Sequence, residues 1–130
     1  MKKIVTYILI LVICISLTSC FLREKMTMEE YMEKNQKLYD SISTSLADDN
    51  CTIKFSSRGN SLVLTANMTF EIEEERLEAV SDALEIAIEE AKEDYLNMLE
   101  NVKKYVPDAE SVIVEYYDSN NVLVASKELK

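Results

Sequence analysis

Residues 74–105 read EERLEAVSDALEIAIEEAKEDYLNMLENVKKY, and everything else in the chain is arranged around them. Leu77, Val80, Leu84, Ala87, Ala91, Met98, Val102 and Tyr105 recur at steps of three and four, with Ile88 and Tyr95 beside them. That spacing lays them along one stripe of a helix. Glu78, Asp82, Glu85, Glu89, Glu90, Glu93 and Asp94 fill the gaps, so the opposite face is wet and negative. No Gly or Pro interrupts the pattern before Pro107. The spacing predicts one uninterrupted helix, roughly 45 Å long, enough to cross a small sheet.

On the N-terminal side of this helix two runs alternate with period two. Cys51, Ile53 and Phe55 alternate with Thr52, Lys54 and Ser56, and Leu62, Leu64, Ala66, Met68, Phe70 and Ile72 with Thr65, Asn67, Thr69 and Glu71. Such alternation marks half-buried strands. Between them Ser57-Arg58-Gly59-Asn60 holds the single Gly of the chain, where a hairpin turn needs a positive φ. Farther upstream, Thr27-Met28-Glu29-Glu30 is a capping box opening a first helix over about Met28–Ala47. On the C-terminal side, Val112, Val114 and Tyr116 alternate with Ile113, Glu115 and Tyr117, and Val122-Leu123-Val124-Ala125 follows Asp118-Ser119-Asn120-Asn121. Asn and Asp tolerate a left-handed turn, so this is read as a second hairpin. The expectation is an α+β domain of order α-β-β-α-β-β: a four-stranded antiparallel sheet with both helices on one face.

The chain begins with an address. Lys2 and Lys3 precede an apolar run over Ile4–Leu17, and Leu17-Thr18-Ser19-Cys20 follows. A charged start, a short apolar core and small residues before a cut form a secretory signal. Its end resembles the bacterial lipobox, which implies cleavage before Cys20 and lipid modification of that residue. Residues 1–19 are then a signal peptide, 20–26 a lipidated tether, and 27–130 a single extracytoplasmic domain; the Ile4–Leu17 run is shorter than the roughly 20 residues that a membrane span needs. The full chain carries 24 acidic and 14 basic residues, and Lys2 and Lys3 leave with the signal. So acidic a surface suits neither nucleic acid nor anionic lipid headgroups.

From Thr27 to the C-terminus the chain resembles a group of small lipoproteins of Gram-positive Firmicutes that share a domain of unknown function. The likeness rests on Thr27-Met28-Glu29-Glu30-Tyr31, on Gly59-Asn60-Ser61-Leu62-Val63-Leu64, and on Val112-Ile113-Val114-Glu115-Tyr116-Tyr117-Asp118 with Ser126-Lys127-Glu128 after it. Members of that group usually carry Gly in the last turn, where this chain has Asn120-Asn121. The resemblance implies a compartment and an architecture, and no catalytic residue to carry over.

Composition limits the chemistry. There is no His, which removes the usual general base and the commonest zinc ligand. One Gly cannot build a phosphate-cradling loop. After signal removal and lipidation of Cys20, Cys51 is a lone thiol, read as a small apolar residue at a strand start. Neither catalytic residues nor a cofactor are expected. Oxygen-rich Glu85, Glu89 and Glu93 are the candidates for a divalent cation. Val63, Ile113 and Tyr117 alternate away from the core and are candidates for a partner-binding apolar patch on the uncovered sheet face. The expected function is a non-enzymatic, membrane-anchored binding module for an envelope protein or peptide with a basic surface. A low-affinity cation-binding envelope protein is the alternative.

Overall fold

The structure is a computed structural model and describes residues 25–130. Eight elements follow in order: α1 (Met28–Lys34), α2 (Gln36–Leu46), β1 (Cys51–Arg58), β2 (Ser61–Met68), α3 (Glu74–Glu90), α4 (Lys92–Lys103), β3 (Ser111–Tyr117) and β4 (Leu123–Leu129). Cys20, the expected signal and the expected tether up to residue 24 lie outside the described residues. Among those described, no helix is long and apolar enough to cross a membrane.

Each expected helix is in fact two. Thr27 caps α1, its hydroxyl accepting the Glu30 amide at 3.2 Å. At Asn35 the side-chain amide donates to the Tyr31 carbonyl at 2.8 Å, the same oxygen that takes the Asn35 backbone N–H. A short polar side chain competing for a helix carbonyl breaks the run there. The long helix bends at Ala91 (φ −91°, ψ 5°). No Pro, Gly or competing side chain marks that position. Length supplies the reason: strands of seven or eight residues span about 25 Å, little more than half of an unbroken helix over residues 74–105. Bent at Ala91, the second half keeps Tyr95, Met98, Leu99 and Val102 buried.

The sheet corrects the all-antiparallel expectation. Its order is β1-β2-β3-β4, with β1/β2 and β3/β4 antiparallel and β2/β3 parallel. A helical connection between two strands returns the chain to the starting end of the sheet, so the next strand runs parallel to the one before. Ser61 therefore pairs with Ser111 and Asn67 with Tyr117. The two central strands are covered on both sides over much of their length, which alternation alone does not describe.

One core joins all eight elements. Phe55, Leu64, Val114 and Leu129 of the sheet meet Met28, Tyr39, Leu84, Ile88 and Val102 of the helices in a single cluster. Tyr31 and Tyr39 share a hydroxyl hydrogen bond of 2.8 Å inside it, with Tyr105 stacked on Tyr31 and Phe55 against Tyr39. Gly59 (φ 58°) and Asn121 (φ 61°) supply the positive φ of the two hairpin turns. β2 stops at Met68, leaving Phe70 and Ile72 outside the strand.

Candidate functional site

The residues singled out from sequence are placed in two regions. Val63 and Ile113 are direct cross-strand partners on the sheet face away from the core, and Tyr117 lies farther along the same strand face. They form no exposed apolar patch. Val63 is only 1% exposed. Arg58 reaches from β1 over β2 to Glu115 on β3, donating through Nη1 and Nη2 to the two carboxylate oxygens at 3.1 and 3.0 Å. In the register Val63 falls between these two residues, so the ion pair lies across it. Tyr117 adds a hydroxyl donor to Glu115 at 3.3 Å. The alternation of Val63 was readable; the arginine that covers it was not.

The acidic helix presents a different arrangement. Glu85, Glu89 and Glu93 are exposed, and Glu89 already engages Lys127 of β4 and Lys92. The Lys127 hydrogen bond foremost holds the Glu89 carboxyl below the usual range. Among the described residues no three acidic side chains converge as metal ligands would. Ile86, by contrast, is 60% exposed and sits one helical turn from exposed Asp82, Glu89 and Glu90. It falls off the apolar stripe of α3, and that departure is the signal in the sequence that could have found it.

A third region was not foreseen. Where β2 and β3 finish and β1 and β4 begin, a cleft of about 380 Å³ opens. Cys51, Met68 and Tyr116 come to it from three strands, Val80 and Leu84 from α3, and Asp48, Asn50 and Phe70 from the loops. Its rim is tied down. The Asn50 amide donates to Asp48 Oδ1 at 2.7 Å, and the Thr69 amide and hydroxyl donate to the Asn50 and Asp49 carbonyls at 3.0 and 3.1 Å. On the other side the Ser119 amide donates to the Phe70 carbonyl at 3.1 Å. Asp118 Oδ1 takes the amides of Asn120 and Val122, which fixes the β3–β4 turn. Phe70, Val122 and Leu123, each nearly half exposed, gather at this end of the sheet.

The cleft's polar groups are neutral except at its rim. Burial, then the charge of Asp48, pushes the Cys51 thiol up to about 11, which disfavours the thiolate at neutral pH. Burial likewise pushes the Tyr116 phenol up to about 12. Tyr116 is 4% exposed, and its hydroxyl makes no hydrogen bond to the described residues. No fully enclosed side-chain oxygen or nitrogen among them lacks a partner, so this hydroxyl meets open space, and the cleft is the space that Tyr116 lines.

A family model for a domain of unknown function, DUF4854, matches residues 28–129. The chain belongs to that family. The match runs from the first residue of α1 to the last of β4, so the DUF4854 domain is the whole eight-element unit. No curated protein and no solved structure matches the chain.

Proposed function

We propose that this DUF4854 chain is a membrane-anchored, extracytoplasmic binding module that docks a basic envelope protein on the outer face of α3. The observation that carries the reading is Ile86, an exposed apolar side chain one helical turn from exposed Asp82 and Glu90, with Glu89 beside it paired to Lys92 and Lys127, on a helix with an otherwise wet face. An apolar anchor with a predominantly negative surround suits docking: burial supplies affinity, and the charges steer the partner and set specificity. The net charge, −10 over the full chain and more negative once Lys2 and Lys3 leave with the signal, extends the attraction beyond the contact itself. Anchoring rests on the Leu17-Thr18-Ser19-Cys20 motif, with Cys20 as the lipidated residue.

The test places a photo-crosslinking amino acid at Ile86, and in a second version at Lys54 on the opposite sheet face, in the full chain in its own membrane. A single basic envelope protein joined from position 86 and not from 54, and lost at high salt, is the expected result. The same products from both positions would overturn the reading. Cys20→Ala is expected to release the chain from the membrane fraction and to abolish incorporation of labelled palmitate; a variant still pelleting with membranes would contradict the anchor.

A further inference from the structure

We propose that the cleft at the ends of β2 and β3 is a binding site for a small organic cation, an ammonium group carried on an aromatic or aliphatic body of about ten to fifteen non-hydrogen atoms. This goes beyond the docking face on α3: Val80 and Leu84 turn into the cleft, whereas Ile86 points to solvent from the same helix.

Location gives the first argument. In open α/β sheets, ligands bind in crevices outside the carboxyl ends of the parallel strands. The cleft occupies that place on the one parallel pair, β2 and β3, and its volume lies in the range of small-molecule sites. Both rims are held by backbone and side-chain hydrogen bonds before any ligand arrives, so little ordering opposes binding.

The lining gives the second. Met68, Val80, Leu84 and Phe70 offer apolar contact, and no basic residue is among the described residues that line the cleft. An anion would lose its hydration with nothing positive to replace it. A cation meets Asp48 at the rim. Asp48 spends Oδ1 on the Asn50 amide, while Oδ2 makes no hydrogen bond to the described residues. Tyr116 supplies the remaining specificity: on a nearly buried residue, its hydroxyl makes no hydrogen bond to the described residues and can accept from or donate to something that enters.

The chain has no Trp, so indole fluorescence comes from the added ligand, and its anisotropy separates bound from free. Tryptamine, indole and indole-3-acetate are titrated against the full chain in detergent, with anisotropy as the readout. The Val80→Phe variant, whose larger ring fills the cleft, serves as the detergent-matched blank. Tryptamine is expected to bind best and indole-3-acetate worst. Asp48→Asn keeps the amide cap and lowers tryptamine affinity about threefold while leaving indole unchanged. Tyr116→Phe weakens both by roughly fivefold. Indole-3-acetate binding as well as tryptamine would overturn the cationic assignment. Anisotropy that rises equally with Val80→Phe, or no rise with tryptamine, would overturn the site; Asp48→Asn, a change at an exposed loop, keeps the comparison interpretable should the filled variant fold poorly.

Discussion

Removing the Arg58 guanidinium tests whether the open sheet face is sealed by one ion pair. Arg58 and Glu115 make two near-parallel hydrogen bonds, the geometry in which guanidinium and carboxylate bind most strongly. Glu115 is largely buried, but the Arg58 side chain is 58% exposed, so solvent screens much of the attraction. The pair's own coupling is therefore set at about 1 kcal/mol, the upper end for exposed pairs. Arg58→Ala also uncovers Val63 and, among the described residues, leaves the Glu115 carboxylate with the Tyr117 hydroxyl alone, which raises the expected loss to about 1–2 kcal/mol. Glu115→Gln keeps a neutral acceptor and should lose less. Urea unfolding of the two single variants and the double variant isolates the coupling.

The pH dependence has a definite sign. The Arg58 hydrogen bonds foremost hold the Glu115 carboxyl below its ordinary range, against the opposing effect of burial. A depressed folded-state pKa means that the stabilisation is complete above the unfolded value of about 4.3 and is lost as pH falls through the lower folded one. The coupling should thus be present at neutral pH and shrink in strong acid. A coupling that is equal at both, or an Arg58→Ala loss below about 0.3 kcal/mol, would refute the claim that this pair seals the face.

Two further outcomes follow from single positions. Asn121 holds φ 61° in the β3–β4 turn, a conformation that Gly adopts without strain, so Asn121→Gly should raise the melting temperature or leave it unchanged, while Gly59→Ala at φ 58° should lower stability by about 1 kcal/mol; thermal melts followed by circular dichroism decide both, and a stabilising Gly59→Ala would contradict the turn geometry. Cys51, with its thiol raised to about 11, should react with iodoacetamide at neutral pH on the order of a hundredfold more slowly in the folded chain than in urea, and equal rates would mean that the β1 end of the cleft is open to solvent.

Local structure was largely legible in the residues. Thr27 and Glu30 announce a helix start, Gly59 a hairpin, and the stripe from Leu77 to Val102 a helix face toward the sheet. Long-range arrangement was less so, and for identifiable reasons. The break at Asn35 depends on which carbonyl its amide finds, a contact that no periodicity records. The bend at Ala91 comes from fitting a long helix to short strands. Parallel pairing did leave a trace: Leu62-Val63-Leu64 and Val112-Ile113-Val114 are continuous apolar runs, the pattern of strands covered on both sides. Period-two alternation over the longer segments masked it. The cleft was invisible because Asp48, Met68, Val80 and Tyr116 are distant in sequence and meet only once the strand order is known.

That strand order is also what gives the molecule a site at all. In an all-antiparallel sheet of the same four strands, β3 would begin where β2 ends, and Ser111 would stand near Met68 in place of Tyr116. The helical crossover through α3 and α4 instead brings both carboxyl ends to one edge, with the start of β1 and the loop before it alongside. A hydroxyl that no described residue pairs, a buried thiol and a rim carboxylate then line one cleft with apolar walls. The same crossover leaves the outer surface of α3 free, so the cleft and the acidic face sit on opposite sides of one helix. A ligand held against Val80 and Leu84 therefore packs against the helix that carries Ile86, and occupancy of the cleft should stabilise that helix. Hydrogen exchange of the α3 amides with and without tryptamine measures this directly: slower exchange through Leu84–Ile88 is expected, and unchanged exchange under saturating ligand would show the two surfaces to be independent.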